Sequence, residues 1–472
     1  MHTRATIAAL TLAAVLLLAA APAFAKDGLT AVHCGQTLTQ SVRLANDLTD
    51  CPADGLVIGA DAITVDLNGH TIDGLPRAGC DFPEVTRAGI DNSGGYDRVT
   101  ITGGTVQQFD VGVTAAGFAT GMSDSRVHDL TLRDNRHGGV SIGSGADATA
   151  TADNLLDHNL VAGSACGSGL VLNTGQRNRF VQNRVHDAVS GIVVCCGLST
   201  DGNSVEHNSV ARVADFGIVV FQSGAARVER NDLTDIGSGD DGCGAPDTCI
   251  GIEVGGDSSK TVVKDNAITR AQNAGIDVGT CFECGTTHLM TDVRVADNTL
   301  TATGDGIWLI DTDRDVVARN TVTGSGSFGS PSAFGLGVLL NGVSGTRVSR
   351  NTITGGGRTI APGILVGLPP EFNPSPRPVA GNLIARNTVS GQHADGILVS
   401  PVAADTTIAR NTTNGNANDG IHVLSPFTTI TRNTADDNGA YGIEAIPGVT
   451  DGGHNEAAGN GNPAQCVGVA CS

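Results

Sequence analysis

Aromatic residues are scarce in this chain of 472 residues, which holds one Trp, two Tyr and twelve Phe. A core of interlocking rings is therefore excluded, and the interior has to be built from Val, Ile, Leu and Ala. Lysine is scarcer relative to its usual abundance, standing only at positions 26, 260 and 264, while 48 Asp and Glu face 28 Lys and Arg for a formal net charge of −20. That charge is spread without acidic blocks and argues against nucleic acid and anionic membrane surfaces as partners. Beyond Met1 only Met122 and Met290 occur, so a soft copper cluster is excluded as well.

The chain opens MHTRATIAALTLAAVLLLAAAPAFAK, with Arg4, an Ala/Leu/Val run and Ala23-Phe24-Ala25 ahead of Lys26. The expectation is a secretory signal peptide over residues 1–25, a secreted or periplasmic protein, and no membrane insertion after cleavage. All twelve cysteines follow, and an even number in an exported chain reads as disulfides. Close pairs are Cys34/Cys51, Cys243/Cys249, Cys281/Cys284 and Cys466/Cys471, leaving Cys80, Cys166 and the adjacent Cys195 and Cys196, with connectivity open. A redox or metal role for Cys281 and Cys284 lacks a second such pair or a nearby pair of histidines.

What is abundant is glycine, at 65 residues, and it recurs in phase with asparagine. Asn follows an apolar-x-x pattern at 135, 159, 183, 208, 231, 266, 298, 320, 351, 387, 411 and 433, and a Gly-apolar-x-apolar run follows each of them. Steps of 22 to 25 residues define the unit, and steps of 31 to 36 carry an insertion. Each unit holds three short runs of strand-like alternation between Gly, Asn, Asp and Ser turns, with no helical pattern long enough to cover a sheet. Such a unit buries no face alone, but stacked units bury a continuous interior, with the Asn side chains repeating at ~4.8 Å. The motif is one coil of a right-handed parallel β-helix, about fourteen coils and roughly 65–70 Å long.

The stretch CGQTLTQSVRLANDLTDCPADGLVIGADAITVDLNGHTIDG, residues 34–74, together with the Asn-x-Val and Gly-Ile-x-Val coils, resembles exported bacterial β-helix proteins of the pectin-lyase-like superfamily, including NosD-type repeats. The resemblance covers residues 34–455. It implies an all-β fold with an N-terminal cap over 26–62, in which Cys34 bonds Cys51, a β-helix over 63–455, and a C-terminal cap over 456–472 that contains Cys466 and Cys471. The superfamily includes lyases, hydrolases, epimerases and adhesins, so the resemblance implies a polysaccharide or cell-surface glycan partner without fixing a reaction.

Insertions at 237–250 and 324–336 precede the Gly-Ile-x-Val strand, and those at 279–292 and 367–381 follow it, so they are expected to wall a groove over its outer face. Outward residues there should include Glu253, Asp277, Trp308, Leu339, Leu365, Leu398, His422 and Glu444, because side chains alternate along a strand. Trp308 is expected either to be covered by a loop or to be a stacking platform for a sugar ring, with Phe282, Phe328, Phe334 and Phe372 in the flanking insertions. Glu253 and Asp277 would stand about 5 Å apart on successive coils, near Asp311, near Asp313 as a candidate ligand-binding residue, and near the loop residues Asp240 and Asp241. Three readings are open: a Ca²⁺ site using Glu253 and Asp277, an acid/base set drawn from Glu253, Asp277 and Asp311, or acidic surface. If the protein is an enzyme, the reaction classes are lyase, epimerase and glycosidase. A second stripe, Arg319, Arg350, Arg386, Arg410 and Arg432 on consecutive coils, would track carboxylates or sulfates of a glycan, or would stack and pair with nearby Asp. A monomeric rod whose loops contact another protein is the alternative function.

Overall fold

The computed structural model describes residues 28–81, 86–117, 120–144, 150–196, 202–238, 248–280, 288–327, 333–356, 361–368 and 377–472. The expected signal peptide lies outside them. Within them the named strands run from two to eight residues and pair in parallel. A coil such as Arg347–Ser349, Thr352–Thr354 and Ile364–Val366 pairs strand for strand with Val316–Ala318, Thr321–Thr323 and Val338–Asn341 of the coil before. The fold is a right-handed parallel β-helix.

The Gly-Ile-x-Val strands form one face of seventeen strands, from Gln36–Leu38 to Cys466–Val467. The other two rows merge into a 29-stranded sheet because Thr100–Gln107 and Arg126–Arg133 run straight through the turn that divides them elsewhere. Seventeen strands at ~4.8 Å span roughly 75 Å, longer than the fourteen-coil expectation. The difference lies at the ends. Residues 29–58, expected as part of a cap, already contribute strands to both sheets, so stacking begins well ahead of residue 63. Beyond residue 455, Cys466–Val467 pairs with Ile443–Ala445.

Two devices fix the spacing. Inward Ile and Val such as Ile276, Val278, Ile307 and Leu309 are fully buried. The glycine before Ile276, before Ile307 and at the same slot of other coils lets coils approach: a Cβ on Gly217 would lie 2.4 Å from the Gly251 carbonyl oxygen and 2.5 Å from Leu233. The asparagine ladder supplies the second device. From Asn159 to Asn231 each Nδ2 donates to the Oδ1 one coil on at 2.9–3.0 Å, and the chain of bonds continues through Asn298, Asn320, Asn351, Asn387, Asn411 and Asn433 to Asn455. The same Oδ1 accepts a main-chain N–H, and the same Nδ2 donates to a carbonyl, so a buried amide is fully satisfied.

Expected disulfides Cys34–Cys51 and Cys466–Cys471 are present, and the pairs left open are Cys80–Cys166 and Cys195–Cys196. Cys249 is disulfide-bonded, while Cys243 lies outside the described residues. The Cys80–Cys166 bond joins the segment leading to residue 81 to a coil 86 residues on. Arg136 holds the same segment through the carbonyls of Ala78, Gly79 and Asp81 at 3.3, 3.1 and 3.0 Å.

Candidate functional site on the outer face and its flanking turn

The outer row stands as the alternation predicts. Glu253 pairs in register with Asp277, Asp277 with Trp308, Trp308 with Leu339, and the row continues through Leu365, Leu398 and His422 to Glu444.

Trp308 is not an exposed platform: its exposure is 6 %. It belongs to an apolar cluster outside the helix, with Leu339 and Leu365 beside it on the face and Ile250, Ala274, Leu336, Ala361 and Leu368 packed over them. The cause is the loop ending at Leu336, which folds back because buried Asp305 accepts the main-chain N–H groups of Leu336 at 2.5 Å and Phe334 at 3.2 Å. Burial pushes the Asp305 carboxyl up to about 7, against those bonds. The middle of the expected groove is thus filled by the chain itself.

Glu253 and Asp277 are neighbours on the face and both are half-buried. Asp311 sits in a left-handed turn, φ 52°, just past its strand. Asp313, expected to bind ligand, instead accepts Ser344 N at 3.0 Å and pairs with Arg377 at 2.7 Å, so its carboxylate ties two turns together. Asp240, Asp241, Phe282, Phe328 and Phe372 lie outside the described residues. No third described donor joins Glu253 and Asp277 in a metal-binding group, and the three-donor group among the described residues lies elsewhere. The expected Ca²⁺ pair is therefore two adjacent carboxylates.

The arginine stripe lies on a different side, in the turn between the two rows of the long sheet. Arg319, Arg350, Arg386, Arg410 and Arg432 each precede a ladder Asn and adopt φ between 56° and 61°. That left-handed geometry aims each side chain outward, and all five are exposed. Arg319 makes a bidentate pair with Asp297 of the previous coil at 2.6 and 2.7 Å, which holds the Asp297 carboxyl below its usual range. Among the described residues Arg350, Arg386, Arg410 and Arg432 form no ion pair. Pairing with Asp therefore accounts for one member of the stripe only.

The sequence reading missed one constellation. Asp395 and Asp419 stand immediately before the glycines of successive Gly-Ile-x-Val strands, and His422 is the outward residue of the second. Asp395 Oδ1 accepts Asp419 N at 3.0 Å and Asn418 Nδ2 at 2.5 Å, and Asp419 Oδ1 accepts Tyr441 N at 2.7 Å. The Oδ2 atoms lie 3.4 and 3.7 Å from His422 Nδ1, and Glu444 Oε2 lies 3.8 Å from Nε2. The bond to Asp395, with the surrounding carboxylates, pushes the imidazole pKa up, and burial pushes Asp419 to about 6. The signal was available: Asp-Gly occurs in both ADGILV and NDGIHV, with a histidine at the outward position. A separate open hollow of about 370 Å³ is lined by Ala165, Val189 and Ser238 among others and by the Asp187–Arg212 ion pair.

The stacked parallel coils and their internal asparagine ladder define a solenoid of the β-helix class. The chain belongs to the right-handed beta helix region family, whose model matches residues 155–322 and 284–461. Among solved structures, the Azotobacter vinelandii mannuronan C-5 epimerase AlgE6 A-module is similar at TM-score 0.55 and 14% identity, over 72% of this chain and 91% of that one. The catalytic unit of a GH87 alpha-1,3-glucanase from Streptomyces thermodiastaticus is similar at TM-score 0.46 and 13% identity, over 86% of this chain and 64% of that one. No curated protein matches the sequence.

Proposed function

We propose that this is an exported polysaccharide-binding protein that holds an anionic glycan along the arginine stripe. The observation that carries the reading is the row Arg350, Arg386, Arg410 and Arg432. These four exposed guanidinium groups stand one coil apart without carboxylate partners among the described residues, on a chain of net charge −20. A row with a ~4.8 Å repeat suits a polymer with regularly repeated charge, and guanidinium pairs carboxylate or sulfate through two N–H donors. The fold is also that of a mannuronan C-5 epimerase, which acts on a polyuronate. Disulfides at both ends of the rod support an oxidising compartment, secreted or periplasmic.

Affinity electrophoresis against neutral and uronate polysaccharides tests the reading. Arg350, Arg386 and Arg410 are replaced together by Asn, which tolerates the left-handed backbone. The expected result is retardation of the natural protein by the uronate gel and not by the neutral one, with retardation lost in the triple variant. Equal migration of the two proteins in every gel would overturn it. The other reading, a rod that contacts a protein, is favoured by the self-filled middle of the outer face, and it becomes the working assignment in that case.

A further inference from the structure

We propose that Asp395, Asp419 and His422 form a binding site for one divalent transition-metal cation of the Zn²⁺ or Mn²⁺ kind, open to solvent on the outer face. The proposal does not depend on the glycan reading.

Three features of the site support it. The first is spacing. One donor atom from each residue, the Oδ2 atoms and His422 Nδ1, falls in a group whose members lie within 4.8 Å of one another, with the imidazole 3.4 and 3.7 Å from the two carboxylates. Donors around a cation with bonds of about 2.0–2.2 Å stand about 3.4 Å apart in a tetrahedral arrangement, so coordination would need only small movements. The second is anchoring. Each carboxylate spends its Oδ1 on a main-chain N–H of the following coil, which fixes the plane of the group and leaves Oδ2 turned toward the imidazole. Glu444 lies within ion-pair distance of His422 Nε2, and its carboxyl also meets that of Asp419, so a third carboxylate borders the group.

The third is charge. Asp395 and Asp419 side chains are 8 % and 2 % exposed, His422 is 23 % exposed, and among the described residues no Lys or Arg pairs with them or with Glu444. Three carboxylates then share one imidazole, and the cluster needs a further cation or retained protons. Ligand type selects the metal: imidazole with two carboxylates suits Zn²⁺ or Mn²⁺, whereas Ca²⁺ seeks six to eight oxygens.

Isothermal titration of chelator-stripped protein at pH 7 with Zn²⁺, Mn²⁺ and Ca²⁺ separately provides the test, alongside Asp419→Asn, His422→Gln and Glu444→Gln variants. One equivalent of Zn²⁺ or Mn²⁺ is expected, uncompeted by Ca²⁺ and weakened at pH 5 by proton competition. Affinity should fall more than 100-fold in His422→Gln and about 10–100-fold in Glu444→Gln, whose carboxyl touches both the imidazole and Asp419. Unchanged melting temperatures of the metal-free variants exclude misfolding. Should Asp419→Asn fail to fold, the two exposed-side variants carry the test. Absence of binding, a preference for Ca²⁺, or affinity indifferent to His422→Gln would each overturn the proposal.

Discussion

At the residue scale, Trp308 shows what an alternation pattern reaches and where it stops. Its outward direction was legible because side chains on a strand take turns. Its cover remained one of two readings, since it depends on a loop whose return is fixed by one carboxylate, Asp305, and spacing does not say which main-chain N–H groups that carboxylate accepts. As the chain's sole tryptophan it reports directly: emission should be blue-shifted in the native protein, and Trp308→Ala should cost about 3 kcal/mol in chemical unfolding. An emission maximum typical of water-exposed indole would contradict its burial.

Titration is also argued at this scale. Asp305 and Asp315 are pushed to about 7 and Asp419 to about 6, mainly by burial. The folded chain therefore binds more protons than the unfolded one between the ordinary carboxylate range and pH 7, and stability falls as pH rises through that window. Arginine-paired carboxylates such as Asp187, held at about 2, act oppositely: their contribution is present above the unfolded pKa and lost as pH falls toward 2. Melting temperature is thus expected to peak at about pH 4–5, with the decline toward pH 7 shallower in Asp305→Asn. A flat profile across that range, the same in both proteins, would count against these buried acids.

At the scale of the element, one coil is specified by a glycine, an asparagine and the residue before it. Asn320 lies in mid-ladder, donating to Asn351 Oδ1 and the Val295 carbonyl while its Oδ1 accepts from Asn298. Asn320→Ala leaves those groups in adjacent coils unsatisfied and should cost about 2–4 kcal/mol, read as a shifted urea midpoint. Gly306→Ala should be comparably harmful, since its Cβ would lie 2.2 Å from the Gly337 carbonyl oxygen. Spacing alone revealed this ladder, as it did the direction of the arginines. It did not reveal that Asp297 neutralises Arg319 while Arg350, Arg386, Arg410 and Arg432 pair with no carboxylate among the described residues, because that turns on side-chain reach. The Asp-Gly pairs carry no periodic signal of their own, and only the structure shows the second oxygens of Asp395 and Asp419 meeting at His422.

At the scale of the whole molecule, the rod separates tasks by side. The interior carries stability, the middle of the outer face is sealed by its own loops, the Asp395–His422 cluster opens near the C-terminal end, and the arginine row follows the turn between the other two strand rows lengthwise. Because coils touch only their neighbours, changes on one side should leave the others intact, and charge substitutions in the row should alter binding without moving the unfolding transition. The row also predicts a length dependence that a single pocket would not show.

The most direct measurement is calorimetric titration with uronate oligosaccharides of increasing length, at low and at high salt. Affinity should rise stepwise with each added sugar until the oligomer spans Arg350 to Arg432, then level off, and it should weaken with salt. Affinity independent of length, or unchanged when Arg350, Arg386 and Arg410 are replaced by Asn, would contradict the account.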